Sequence, residues 1–138
     1  MMNQNQESLE EKVKKLNETA DTTSEFDATD IQNNKAMAII AYLGILVLVP
    51  IFGAKDSKFA RFHANQGLLL CISAIVYFIA ESIVNALLLS ISWRLSFVAA
   101  LLSLIGLVFV VLMVIGMINA GNGRAKELPV IGKFKILS

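Results

Sequence analysis

The residues of this chain best suited to chemistry are four polar side chains within a long apolar stretch. Ser73, Tyr77, Glu81 and Asn85 recur at intervals of four, so on a helix they form one slowly drifting stripe. A carboxylate inside a membrane is costly and usually faces a bundle interior or a watery cavity. The stripe is therefore either an ion or proton site lining a polar passage, or a packing surface that joins helices or subunits through hydrogen bonds. Packing is the favoured interpretation, because Glu81 has no intramembrane Lys, Arg or His as a partner.

A second set of candidate residues combines positive charge with aromatic rings just before that stretch. Its members are Lys58, Phe59, Arg61, Phe62 and His63. Such side chains suit the membrane–water interface, where the cations reach lipid phosphate, so these residues are candidates for headgroup contacts. The alternative is that the charges serve only to set the orientation of the chain in the membrane.

Residues for other kinds of chemistry do not form recognisable sites. His63 is the only histidine and Cys71 the only cysteine, which excludes an internal disulfide, a cysteine metal cluster and a histidine pair. Gly121-Asn122-Gly123 is a turn rather than a phosphate-binding loop, because no Lys-Ser/Thr pair follows it. We therefore predict no catalytic residue, cofactor or metal site, and a protein that is not an enzyme.

Two apolar stretches must position the candidate residues. Residues 36–52 carry no charge, and residues 67–118 carry only Glu81 and Arg94. Since a spanning helix takes about 20 apolar residues, the sequence predicts an all-α, polytopic transmembrane bundle of about three spans. Trp93 and Arg94 favour the interface and divide the longer stretch. The predicted spans are residues 31–52, kinked or ended at Pro50, then 67–91 and 95–118, with an interfacial segment before the second.

The two ends of the chain differ in charge. Residues 1–34 hold three lysines and eight carboxylates, a net charge of −5, whereas the remainder holds nine basic and three acidic groups, a net charge of +6. Residues 1–30 are predicted to be a largely flexible acidic tail with a short amphipathic helix at 8–16, followed by the transmembrane domain at 31–138. Residues 119–138 form the basic amphipathic C-terminal tail of that domain. This charge pattern does not favour nucleic-acid binding.

Charge also predicts the orientation in the membrane. Three spans would place the basic loop before the second span and the C-terminal tail on the same side. Because Lys and Arg are retained on the cytoplasmic side, we expect both segments in the cytoplasm and the N-terminus outside.

Three segments together carry a family resemblance. They are Asn34 to Gly44, the loop Lys55 to Gly67, and Asn119-Ala120-Gly121-Asn122-Gly123 leading to Leu128-Pro129-Val130-Ile131-Gly132. This pattern resembles a widespread family of small bacterial membrane proteins of unknown function, similar to a multi-spanning (Tic-twenty-like) subunit of the chloroplast import machinery and including some magnetosome membrane proteins. The resemblance implies a compact helical domain of the bacterial cytoplasmic membrane, no known enzymatic activity, and a link to protein transport.

Two functions are consistent with these features. The favoured one is a non-enzymatic accessory or organising component that acts through helix–helix association, supported by small-residue pairs such as Gly116 and Ala120. Its expected partners are membrane lipids, further copies of itself or other membrane proteins. The alternative is a small oligomeric channel or transporter lined by the polar stripe.

Overall fold

The chain is built from helices of very unequal length. A computed structural model describes residues 11–12, 14–15 and 18–137, so the predicted helix at 8–16 lies mostly outside the described residues. The α-helices are α1 (Ala28–Ile40), α2 (Leu48–Gly53), α3 (Lys58–Ile91), α4 (Ser96–Ile105) and α5 (Leu107–Gly121). Short 3-10 helices accompany them at Thr23–Glu25, Gly44–Val47 and Trp93–Leu95. The predicted all-α class is confirmed, since the described residues contain no β-strand.

Two helical stretches are long and apolar enough to cross a membrane. They are α3, with 34 residues, and Trp93–Gly121, with 29, which contains α4 and α5. Only 17% and 6% of their most apolar windows are buried inside the protein, whereas the core helix of a soluble protein is mostly buried. These helices contain the predicted spans 67–91 and 95–118. They are separated by Ser92, whose extended backbone ends α3 and whose hydroxyl accepts a hydrogen bond from the Arg94 amide at 3.2 Å.

The first predicted span, residues 31–52, is two helices joined by a turn rather than one continuous helix. α1 ends at Ile40, and Gly44 then adopts a φ of +61°, a conformation that side chains with a β-carbon rarely adopt. Residues 43–53, hereafter the apolar loop, include this turn and α2 and lead to the start of α3. Asp30, in the first turn of α1, accepts a hydrogen bond from the Phe59 amide in the first turn of α3. The chain has therefore returned to the level at which α1 began.

Pro50 does not cause this reversal. It is the third residue of α2, where a backbone N–H would have no acceptor within the helix, so its missing donor is tolerated. The predicted interruption of the first apolar stretch thus occurs at Gly44, six residues earlier in the sequence.

Residues at one end of the two long helices form a packed layer, hereafter the cap. The cap comprises residues 19–66 and 119–137, and its fully buried side chains include Tyr42, Phe59, His63 and Leu128. α1 packs against both α3 and α5. Its approach to α3 is so close that a β-carbon on Gly67 would lie 1.8 Å from the Ala41 carbonyl oxygen, which only glycine avoids.

The two ends of the described chain meet within the cap. The Thr22 amide donates to the Ala125 carbonyl at 3.0 Å, and the Glu127 amide donates to the Ala20 carbonyl at 3.1 Å. Segments joined by hydrogen bonds cannot lie on opposite sides of a bilayer. The predicted placement of the N-terminus opposite the C-terminal tail is therefore wrong for the described N-terminal residues. The physical reason is that residues 31–52 reverse direction at Gly44, so they do not form the single continuous crossing that their hydropathy predicts.

Candidate functional site

A fully buried histidine stands at the centre of the cap. The His63 Nε2–H donates to the Arg124 carbonyl at 3.0 Å, because a carbonyl can only accept. Nδ1 is then free to accept from the Tyr42 hydroxyl, 2.7 Å away. The ring of Phe59 packs edge-on against the imidazole at 4.7 Å between centroids. His63 thus connects the turn after α1, the start of α3 and the segment after α5.

Two amides next to His63 hold the C-terminal tail against α3. The Asn65 side chain donates to the Phe134 carbonyl at 3.0 Å and accepts from the amides of Ile136 and Leu137 at 2.6 and 2.9 Å. Gln66 donates to the Gly132 carbonyl at 3.0 Å and accepts from the Leu128 amide at 2.8 Å. The two side chains therefore replace the backbone partners that an irregular tail lacks.

Asp30 connects α1 to the N-terminus of α3. Its carboxylate accepts from the Ser57 hydroxyl at 2.5 Å, the Phe59 amide at 3.0 Å and the Asn34 amide group at 2.8 Å. Ser57 in turn caps α3 by accepting from the Ala60 amide at 3.0 Å. Burial raises the pKa of Asp30, but the hydrogen bonds from Ser57, Phe59 and Asn34 outweigh burial and hold the pKa below its ordinary value of 3.8. The charged form is therefore the one that stabilises this junction.

The polar stripe of α3 is turned toward α4. The Tyr77 hydroxyl donates to the Leu102 carbonyl at 2.5 Å, and the Ser103 hydroxyl donates to Glu81 Oε1 at 2.5 Å. Asn85 donates to the same oxygen of Glu81 at 3.4 Å, while its own Oδ1 is buried without a hydrogen-bond partner. Ser73 is half-buried and takes no part in these contacts. The contacts support the packing interpretation, since they join the two long helices of one chain.

The predicted headgroup residues divide between the core and the surface. Phe59 and His63 are fully buried, so neither can contact a lipid headgroup, because α1 and the C-terminal tail cover that side of α3. Lys58 is exposed, and Arg61 and Phe62 are half-buried. These three residues line a cavity of about 440 Å³ between α3 and the C-terminal tail.

The amide contacts of Asn65 and Gln66 have a weak signal in the sequence, and their partners in the C-terminal tail have none. Asn65 and Gln66 lie in the loop that carries the family resemblance, and two adjacent amides directly before an apolar stretch indicate buried hydrogen bonds. Small residues were more informative, because a β-carbon on Gly116 would lie 2.3 Å from the Tyr42 ring. Gly116 therefore serves close packing within the chain.

Comparison with known proteins identifies the family. Residues 33–135 match the MamF/MmsF family, the magnetosome magnetite crystal formation protein family. The chain belongs to this family. It is also 34% identical over 101 residues to the magnetosome protein MamF of Paramagnetospirillum magneticum (strain ATCC 700264 / AMB-1), an alignment that covers 73% of this chain and 81% of the relative. No solved structure matches the chain significantly.

The MamF/MmsF match confirms part of the resemblance found in the sequence. The relation to magnetosome membrane proteins is confirmed, whereas the similarity to the chloroplast import subunit is not shown by these matches. The matched residues include α1 from its sixth residue, the Asn65–Gln66 amides and most of the C-terminal tail. They leave the acidic N-terminal residues outside.

No group of three or more His, Cys, Asp and Glu side chains among the described residues is arranged to hold a metal ion. Most of the buried polar side chains instead bond to backbone groups of neighbouring segments. The arrangement is that of a membrane hairpin whose polar residues hold its own parts together.

Proposed function

We propose that this protein is a non-enzymatic accessory component of a bacterial membrane that organises other membrane proteins through helix association. The observation that carries the proposal is that polar side chains of the long helices bond within the chain, whereas the side chains that face outward are apolar. The polar side chains of α3, including Tyr77 and Glu81, bond to Leu102 and Ser103 of the same chain. The outward surfaces left for partners within the membrane are therefore apolar.

These outward surfaces are extensive and come from three parts of the chain. Phe52 in the apolar loop is 66% exposed, Phe97 in α4 is 64% exposed, and Ile79 and Ile83 in α3 are each 58% exposed. They form the surface against which a membrane partner would pack.

The MamF/MmsF family suggests the process in which this accessory role is exercised. The family is named for the formation of magnetite crystals, and we propose that the chain contributes to that process from within the membrane. The short connection between α3 and α4 carries one charged residue, Arg94, and no carboxylate. Carboxylate oxygens are the protein groups that suit hard cations such as iron, and this connection offers none. We therefore assign the effect to organisation of membrane proteins rather than to contact between this connection and a crystal.

Site-specific photocrosslinking in native membranes tests helix association. A photoreactive phenylalanine analogue would replace Phe52, Ile79 or Phe97 on the outward surfaces, and Phe59, which is fully buried, in a matched control. We expect discrete protein adducts, identifiable by mass spectrometry, from at least one outward position and none from Phe59. Lipid adducts alone at all three outward positions would contradict the proposal.

The role in crystal formation needs a separate measurement. In a magnetite-forming host, replacing the resident family members by this chain should preserve crystal dimensions seen by electron microscopy. A variant in which the outward position that crosslinks is changed to tryptophan should, at equal abundance, preserve the crystal dimensions less well than the unaltered chain. Equal crystal dimensions with and without the chain would remove the magnetite assignment while leaving helix association to the crosslinking result.

A further inference from the structure

The cavity between α3 and the C-terminal tail is lined by positive charge from two separate segments. Lys58 and Arg61 come from the first turn of α3, and Lys135 comes from the tail. Glu127 is the one acidic residue of the lining, so three cations and one anion give the cavity a net charge of +2. Its volume of about 440 Å³ is within the range of small-molecule sites.

The position of Lys135 is fixed by the fold rather than left to a mobile tail. Asn65 accepts from the Ile136 amide at 2.6 Å and donates to the Phe134 carbonyl at 3.0 Å, so it holds the backbone on both sides of Lys135. Asn65 is itself only 6% exposed and lines the same cavity. The cation from the tail is therefore brought to the cations of α3 by a buried hydrogen-bonded side chain.

Apolar side chains adjoin the cavity. Phe134 and Ile136, which flank Lys135, are 65% and 48% exposed. A smaller adjoining cavity shares Arg61 and Leu137 with the first and is completed by Ile51, Phe52 and Lys55. A small soluble anion has no hydrocarbon to place against these apolar side chains, whereas an anionic lipid carries both a charged group and acyl chains.

We propose that this cavity binds the phosphate group of an anionic phospholipid, whose acyl chains lie along Phe52 and Phe134. Lys58, Arg61 and Lys135 neutralise the phosphate, and the cavity lies beside the first nine residues of α3, which directly precede its apolar stretch. This lipid site goes beyond the proposed organising function and does not depend on it. A protein with no partner would still bind the lipid, and a protein without the site could still associate.

Native mass spectrometry of the full chain in neutral detergent tests the site. The probes are cardiolipin and phosphatidylglycerol, with phosphatidylcholine as the uncharged comparison. The variant Lys58→Gln, Arg61→Gln, Lys135→Gln removes the three cations. A matched control, Lys14→Gln, Arg94→Gln, Lys133→Gln, makes the same change in net charge at exposed positions that do not line the cavity. A second variant, Lys58→Arg, Arg61→Lys, Lys135→Arg, keeps every charge and guards against loss of folding.

We expect retention of the anionic lipids over phosphatidylcholine by the unaltered chain, the control and the charge-keeping variant. In the glutamine variant, affinity for the anionic lipids should fall on the order of a hundredfold, given the usual contribution of each basic residue near an anionic lipid. Three results would overturn the proposal: equal affinity for all three lipids, an equal loss in the control, or displacement of cardiolipin by millimolar inorganic phosphate. The last result would assign the cavity to a free anion instead.

Discussion

Replacing Asn65 by leucine should release the C-terminal tail from α3. The leucine side chain has nearly the same size, but it removes one donor and the acceptor of two backbone amides, with bond lengths of 3.0, 2.6 and 2.9 Å. A hydrogen bond contributes about 1 kcal/mol to stability, so the three bonds together contribute about 3 kcal/mol. That loss corresponds to an increase of roughly a hundredfold in the fraction of molecules with an open tail.

Hydrogen–deuterium exchange of the purified protein in detergent measures this opening directly. Peptides covering residues 130–137 should exchange faster in the Asn65→Leu variant by roughly the same hundredfold factor, while peptides from the middle of α3 stay unchanged. Asn33→Leu is the matched control, because Asn33 is exposed on α1. Unchanged protection of the tail in Asn65→Leu would refute the assignment of the tail contacts to Asn65. Equal acceleration in Asn33→Leu would show that the effect is not specific to that side chain.

Four further outcomes are expected. Gly67→Ala should unfold the cap, because its β-carbon would lie 1.8 Å from the Ala41 carbonyl oxygen. In a detergent thermal-shift assay, the control Gly121→Ala, whose β-carbon would have its nearest contact at 3.6 Å, should keep the melting temperature within a few degrees. The Asp30 contribution to stability is present above the ordinary pKa of 3.8 and is lost as the pH falls through the lowered pKa. Asp30→Asn should therefore reduce stability at pH 7 and make unfolding less sensitive to acid below about pH 4. An unchanged pH profile of unfolding would contradict this. Glu81→Gln keeps the oxygen that accepts from Ser103, so helix packing should survive with little change in melting temperature, and ion flux in liposomes should be the same for both proteins; a flux that depends on Glu81 would favour a channel. Tags placed at the two ends should be cleaved by protease from the same side of oriented membrane vesicles, and cleavage from opposite sides would contradict the Thr22–Ala125 contact.

The two long helices could be predicted from sequence because charge and length settle them. Few side chains other than apolar ones are tolerated over the length of a span, so the stretch between Gly67 and Ile118 had to be helical and Trp93-Arg94 had to interrupt it. The polar stripe could also be predicted, since four-residue spacing places Tyr77, Glu81 and Asn85 on one face of a helix. Its partner Ser103 was not, because spacing within one helix carries no information about the neighbouring helix.

The cap could not be predicted, because its contacts join residues far apart in the chain. Asn65 and Phe134 are 69 positions apart, and Thr22 and Ala125 are 103 positions apart. Hydropathy reports how apolar residues 36–52 are but not that Gly44 reverses their direction. Residue type likewise suggested an interface for Phe59 and His63, whereas the packing of α1 over α3 buried them. Non-local packing decided each of these outcomes.

The contact between Thr22 and Ala125 also constrains how the protein is made. Residues 19–23 leave the ribosome about a hundred residues before the backbone groups to which they bond, so the cap cannot close during most of synthesis. α3 and α5 can enter the membrane in order, but the hydrogen bonds between residues 19–23 and 125–127 form only after the C-terminal tail emerges. Before α5 is made, Tyr42, which ends up fully buried, also lacks its packing contact with Gly116. Quality-control proteases and insertion chaperones would therefore meet an uncovered Tyr42 on every nascent molecule, and a chain truncated before α5 would remain in that state.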